Sequence, residues 1–337
     1  MALCSAALCA PAAALAAEPS AHALLERHAP ELRYDSRERD FAVPLGTIFS
    51  ESATRLIAAD RKRLPSDRLD LDALGRTYIL DGRPDSAARS DDSLDLPDTS
   101  SVERPSAAAP AYARSVLDGR RRLWLQYWFY YVANTQDRGV VRIGRHEGDW
   151  ELMQVRLDEA QRPVEVTMAQ HSAGERCPWS RVERSDGGNA PIVYVAEGSH
   201  AAFFSAGTRR RALYEPRDRA DGGGPRARPV VQFISDAFPR WMTWPGRWGG
   251  SLGGPAPGAQ ASPRGPAFQG LSKWTDPGEF SERHARTCGA CAFATCGRLG
   301  AAPFLLWPGA PALGLVALSS IGLGRRWRKR RFSSVPP

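Results

Sequence analysis

LWLQYWFYYVAN, from Leu123 to Asn134, is the stretch on which the reading of the fold turns. It is dense in aromatic side chains and holds neither glycine nor proline, which is the composition of a strand. Working outward, Glu151 to Leu157 (ELMQVRL) and Val164 to Gln170 (VEVTMAQ) alternate apolar with polar residues. A period of two marks a strand with one face buried. Pro191 to Ala196 (PIVYVA) and Pro229 to Ile234 (PVVQFI) are short apolar runs bounded by turn residues. Residues 82–111 are rich in Asp, Ser, Pro and Ala and read as a long loop. Convincing helical stripes are few. The expected fold is mainly β: an antiparallel β-sandwich with long loops and a few short helices.

Composition supports a folded chain. Of 337 residues, 42% are hydrophobic and 24% charged, which excludes collagen-like, coiled-coil and wholly disordered classes. The net charge of +8 is concentrated at one place. Arg325, Arg326, Arg328, Lys329, Arg330 and Arg331 form a single run, and removing those six charges from +8 leaves +2. The body therefore offers no basic face, and no nucleic-acid partner is expected. Only three lysines occur, Lys62, Lys273 and Lys329. We read that arginine bias as the codon usage of a GC-rich bacterial genome.

The two ends carry their own signals. Residues 1–17 are apolar and uncharged, and they finish on small residues like a secretory signal peptide. Residues 299–324 carry no charge, and the basic run follows at once. That order fits a transmembrane segment with a basic cytoplasmic tail at 325–337. The expected layout places the sandwich at 18–245 and a Gly/Pro-rich, Cys-containing linker at 246–298. Together these calls describe an exported protein, tethered to the cell membrane with its domain outside. Cys177, Cys288, Cys291 and Cys296 then remain, with three disulfide pairings open. A small zinc site using His284 and the last three of these cysteines is the alternative.

The sharpest local feature is GRHEGDWE, Gly144 to Glu151. In an extended chain Asp149 and Glu151 point to one face and Trp150 to the other. Trp150 can bury itself while both carboxylates face one site, and His146 in the preceding turn can reach the same place. One imidazole and two carboxylates suit a divalent cation (Ca, Mg or Zn) or general acid–base work. The same residues also suit a solvated turn with a charged rim. Two more junctions add candidates: QHSAGE from Gln170 brings His171, and EGSHA from Glu197 brings Glu197 and His200. Strand ends of one sandwich can converge on a single loop face. The metal candidates are thus His146, Asp149 and Glu151, with His171, His200, Glu197 and Glu147 as ligand-binding or supporting residues.

GRHEGDWE, then QHSAGE, then VYVAEGSHAAFF resembles the vacuolar-protein-sorting-associated sixty-two family, whose members show H-x-GDWE, QHS and GSHA-like elements in this order. The resemblance runs from about Leu24 to Tyr214, with LRYDSRERD as the opening strand. More distantly, GRHEGDWE resembles the GHRHDWE heptapeptide of the necrosis- and ethylene-inducing-like proteins. That resemblance implies a secreted β-sandwich cytolysin that binds a divalent cation and sphingolipid head groups. It implies roles for His146, Asp149 and Glu151. The first His of the heptapeptide is replaced here, and Gly148 precedes Asp149.

Three readings follow. The first is a binding module that holds a cation and, through it, a polar ligand such as a glycan or lipid head group. The second is a metal-dependent hydrolase using His146, His171 and His200, although no HExxH or GxSxG signature is present. Within it, Ser172 or Ser199 beside a histidine is a candidate nucleophile. The third is a membrane-active, cytolysin-like protein.

Overall fold

The computed structural model describes residues 20–50, 55–57, 71–75, 89–96, 109–136, 145–210, 217–250 and 261–289. In chain order the strands begin with β1 (Glu31–Tyr34), β2 (Arg55–Ile57), β3 (Ser93–Asp95), β4 (Pro110–Leu117) and β5 (Leu123–Asn134). They continue with β6 (His146–Leu157), β7 (Pro163–Gln170), β8 (Ala173–Pro178), β9 (Arg184–Ser185) and β10 (Ala190–Val195). The series ends with β11 (Ala202–Phe203), β12 (Gly207–Arg210), β13 (Arg217–Ala220), β14 (Arg226–Ala227), β15 (Val230–Phe233) and β16 (Ala285–Thr287). Helices are short, as in α1 (Ala21–Arg27) and α2 (Leu45–Ser50).

The aromatic strand β5 sits near the middle of a seven-stranded sheet of order β15-β4-β5-β6-β7-β8-β16. A smaller sheet, β11-β10-β1-β14 with β9 beside β10, packs over one face of it. On that face Leu125, Tyr127, Phe129 and Tyr131 of β5 and Met153 and Val155 of β6 meet Leu32, Tyr34, Val193 and Val195 of the small sheet. The opposite face carries Trp128, Tyr130, Val132, Trp150 and Leu152. It is covered by α2 and by irregular chain that supplies Trp241, Trp244, Trp248, Trp274 and Phe280. Because both faces are covered, β5 is rich in aromatic and aliphatic residues on both, without the regular polar alternation of a half-exposed strand.

The mainly β, sandwich-like class expected from the sequence is what the structure shows. The central strands β4 to β8 are antiparallel, as short turns require. Three pairings away from that centre are parallel: β1 with β10, β15 with β4 and β16 with β8. Each joins segments far apart in sequence, where the connection leaves direction free. The loop expected at 82–111 contains β3, which pairs antiparallel with β2.

One expected boundary needs correction. The sandwich does not stop at 245. Trp248 is 0% and Phe280 0% exposed, both inside the core. Beyond them β16 extends the sheet beside β8, and Cys288 forms a disulfide with Cys177. Gly/Pro-rich chain without periodicity reads as linker, yet an aromatic sheet face can be sealed by irregular backbone that delivers indole rings. The Cys177–Cys288 bond also removes Cys288 from the zinc alternative. The expected leader at 1–17, the span at 299–324, the tail at 325–337, and Cys291 and Cys296 lie outside the described residues. Among the described residues no helix is long and apolar enough to cross a membrane.

The disulfide joins residues 111 apart and fastens the last strand to the sheet. Replacing both cysteines by serine should lower unfolding free energy by about 2–5 kcal/mol. Urea unfolding followed by tryptophan fluorescence measures this, and an unchanged midpoint would contradict it.

Candidate buried histidine–carboxylate site

The site grows from the pairing of β5 with β6. Its register sets Tyr131 opposite Asp149, Tyr130 opposite Trp150 and Phe129 opposite Glu151. Trp150 therefore enters the aromatic cluster, 5.0 Å from Tyr130 and 5.4 Å from Trp248 between ring centroids. Asp149 and Glu151 turn to the other face, both buried. The alternation expected from the sequence is what the backbone delivers.

His146 departs from expectation. It belongs to β6 and not to a preceding turn, and its Nδ1–H donates to the Gly148 carbonyl at 2.8 Å. The cause is Gly148, which adopts φ +60 and packs so closely that any Cβ would lie 2.1 Å from the Trp248 carbonyl oxygen. The kink folds the His146 ring back on its own backbone. Glu147 also turns elsewhere. Its Oε2 accepts from the Gly250 N–H at 2.9 Å and the Leu96 N–H at 3.4 Å, so it ties β6 to two loops. Burial pushes the Glu147 carboxyl up, against the pull of those two N–H groups.

Asp149 meets His200, fifty-one residues further on. His200 Nδ1 lies 3.0 Å from Asp149 Oδ2, and the Asn134 amide approaches the same oxygen at 3.5 Å. His200 sits in the tight turn after β10 at φ +55, two residues after Gly198 at φ +63. Its ring stacks flat on Tyr131, with centroids 3.9 Å apart and planes 3° apart. The other nitrogen, Nε2, has no hydrogen-bond partner, and Glu38 Oε1 stands 3.8 Å away. Burial alone would depress the His200 pKa, but Glu38 and Asp149 outweigh it and push it up to about 10. The ring is thus an imidazolium held between two carboxylates.

Glu38 was not singled out by the sequence. It follows β1 in a tight loop, where its oxygens accept from the N–H groups of Arg39 (2.8 Å), Asp40 (2.8 Å) and Gly198 (2.7 Å). Burial would raise its pKa, but the His200 charge and these hydrogen bonds hold it below the ordinary carboxylate range. Nothing in LRYDSRERD marks Glu38 among its neighbours, because the partners that set its role, Gly198 and His200, come from the distant turn after β10.

A second cluster adjoins the first. Buried Asp218 of β13 accepts from Ser199 Oγ (2.8 Å) and Gln136 Nε2 (2.9 Å), and it faces His171 Nε2 at 3.2 Å. His171 occupies the tight β7–β8 turn at φ +56. Ser199 Oγ donates to Asp218 and not to a histidine, so the Ser–His pairing considered for this serine is not formed. Glu197 lies at the surface, 39% exposed and 4.0 Å from Arg37 Nη1. Above Glu38 opens a cleft of about 240 Å³ lined by Arg37, Glu38, Arg39, Thr135, Gln136, Glu197 and Gly198.

The structure therefore joins Asp149 with His200, places His171 in the adjoining cluster and Glu197 at the cleft, and separates His146 and Glu147 from them. Among the described residues no three His, Cys, Asp or Glu side chains are arranged to hold a metal ion. Asp149 Oδ2 faces His200 and Asn134. His146 Nδ1 donates to the Gly148 carbonyl, which leaves its lone pair on Nε2. The three histidines of the hydrolase reading meet three different partners.

A β-sandwich with a buried imidazolium between two carboxylates, beneath a polar cleft, is the class that fold and site define. The family model for vacuolar protein sorting-associated protein 62 matches residues 131–212, which include every one of the expected site residues. Over that stretch the chain is similar to this family. No curated protein sequence matches it. Among solved structures, one described as a toxin fold for microbial attack and plant defense is 15% identical, with a TM-score of 0.33, covering 63% of this chain and 76% of its own. NLPPya in complex with mannosamine is 13% identical, with a TM-score of 0.31, over 64% and 75%. The non-toxic HaNLP3 protein is 11% identical, with a TM-score of 0.31, over 62% and 73%. Similarity at this level transfers no ligand or activity.

Two outcomes are expected from the site itself. Gly148→Ala should destabilise the fold by about 2 kcal/mol or more, from left-handed strain and the clash with Trp248. Chemical denaturation measures it, and a neutral substitution would contradict the close approach. The second concerns pH. The folded His200 pKa of about 10 lies above the unfolded value, so its stabilisation is complete below about pH 6.5 and is lost as pH rises through 10. The difference in melting temperature between wild type and His200→Gln should therefore shrink from pH 7 to pH 10. A difference independent of pH would show that the ring is not charged.

Proposed function

We propose that the protein is a binding module whose polar cleft over Glu38 takes a neutral, hydroxyl-rich group such as a glycan unit. The observation that carries this is the cleft itself. Its lining alternates donors and acceptors, with Arg37, Arg39, Thr135 and Gln136 beside Glu38 and Glu197. Opposite charges pair across it, as in Arg37 with Glu197, so it presents no net field for a polyanion. Nearly every lining side chain is polar, which disfavours an apolar guest. Beneath it, Gln136 is fixed by Asp218 and Thr135 donates to Asp40 at 3.0 Å, so the cleft floor is preorganised.

The reading includes location. The Cys177–Cys288 disulfide supports a compartment outside the reducing cytoplasm. Export through residues 1–17 and a tether through residues 299–324 complete the proposal.

Saturation-transfer NMR with neutral mono- and disaccharides tests the ligand. At least one sugar should receive magnetisation from wild type. Arg37→Ala and Glu197→Ala should each weaken binding by about tenfold, with melting temperatures within about 1–2 °C of wild type, since both side chains are surface-exposed. Absence of transfer from every sugar, or binding indifferent to both substitutions, would sink the ligand class.

A further inference from the structure

Two consecutive residues form the floor of the cleft, and both have already spent their donors. Thr135 and Gln136 follow the end of β5 and line the cleft. The Thr135 hydroxyl donates to Asp40 Oδ2 at 3.0 Å, and Gln136 Nε2 donates to Asp218 Oδ1 at 2.9 Å. Their backbone N–H groups both donate to the Gly198 carbonyl, at 2.9 and 3.2 Å. A carboxylate only accepts, and buried Asp218 accepts from Ser199 Oγ as well. The amide of Gln136 is thereby fixed with its nitrogen edge inward, and the Oε1 edge is what it offers the cleft. A threonine hydroxyl that has given its proton likewise keeps only lone pairs. Donation to a charged partner draws each proton away and leaves more negative charge on the oxygen, which strengthens both acceptors.

We infer that this floor reads hydrogen-bond donors, so that the cleft selects a ligand entering by free hydroxyl groups. The inference rests on the ligand reading above and narrows its class to a polyol or sugar edge whose hydroxyls are unsubstituted. The rim is the complement of the floor. Arg37 and Arg39 carry donors alone, and Glu197 is an acceptor there. A hydroxyl donates and accepts at once, so it satisfies the floor with its proton and the rim with its oxygen. An ether or ester oxygen at the floor meets lone pairs with no proton to share. Thr135 and Gln136 then lose water without a replacement bond, which is the costly outcome for a polar group. A phosphate or carboxylate is placed worse still, because Asp40 and Asp218 stand behind the floor and Glu38 beside it.

The test uses the full chain and two sets of probes, methyl glycosides with free hydroxyls and the same glycosides fully O-methylated. By saturation-transfer NMR wild type should bind the free form about tenfold or more tightly than the O-methylated form. Thr135→Val and Gln136→Met each remove one acceptor at similar size, and each should narrow that preference by weakening the free form alone. Equal binding of both forms by wild type, or an unaltered preference in both variants, overturns the inference. Should neither variant fold, the wild-type comparison decides. A second readout needs no sugar. The side-chain amide protons of Gln136 should exchange with water about tenfold or more slowly than those of exposed Gln232, and Asp218→Asn should remove the difference by freeing the amide to turn. Exchange of Gln136 at the exposed rate in wild type overturns the inference whether or not a sugar binds. If no glycoside binds while Gln136 is protected, the glycan reading falls and glycerol against its trimethyl ether decides the donor rule. A shift of the Gln136 amide resonances with glycerol alone supports it, and a response to both or to neither overturns it.

Discussion

The pairing of β5 with β6 is the constraint on which the rest of the structure depends. Tyr130 opposite Trp150 and Tyr131 opposite Asp149 are consecutive rungs of one ladder, and they face opposite ways. A slip of one residue would drive both carboxylates into the tryptophan cluster and expose the indole to the small sheet. Two local devices guard the register. Gly148 accepts the contact with the Trp248 carbonyl that no other residue could accept. Glu147 holds the N–H groups of Gly250 and Leu96, so the start of β6 is clamped from the aromatic side. The kink that turns His146 away from the acids is thus part of what keeps Asp149 aimed at His200.

Charge is the second constraint, and it follows from the first. Once β6 presents Asp149 and Glu151 to a covered face, their desolvation must be offset nearby. Glu38 joins them from the loop after β1, although three backbone N–H groups stabilise its charge. Opposing them stands His200, 3.0 Å from Asp149 and 3.8 Å from Glu38. It is not incidental packing: removing one partner of a buried pair leaves the other charge uncompensated, typically at a cost of about 3–5 kcal/mol. The flat stack of His200 on Tyr131 fixes the ring so that both nitrogens look along the line joining Asp149 and Glu38.

How much of this the sequence discloses depends on the range of the interaction. The strands over Leu123–Asn134, Glu151–Leu157 and Val164–Gln170 are legible because composition and alternation are local properties, whereas the start of β6 from His146 is not. The division of Trp150 from Asp149 and Glu151 is legible too, since it needs only an extended backbone. The partnership of Asp149 with His200 was legible as two candidates and not as a contact. Glu38 was not legible at all. It is a single charged residue in irregular chain, selected by partners more than a hundred residues away. The segment 246–289 misled for a related reason. Its tryptophans cover a sheet face without any periodicity of their own, so composition showed a linker where packing shows a wall. His146 failed differently: its direction depends on the sign of one φ angle, at Gly148.

The same geometry gives each histidine of the expected constellation a defined partner. A general base must be unprotonated at working pH and must reach the proton it takes. His200 keeps its proton to about pH 10 and is buried, with a carboxylate on either side. His171 faces Asp218, which already receives the hydroxyl of Ser199, so the serine is paired with a carboxylate and not with an imidazole. His146 is engaged by its own backbone. His146 Nε2 is the ring nitrogen that this contact leaves with a lone pair. His200 and His171 stand beneath or beside the cleft whose exposed groups are Arg37, Arg39 and Glu197. A rigid charged network under a neutral, hydrogen-bonding rim is an arrangement that binds at low reorganisation cost.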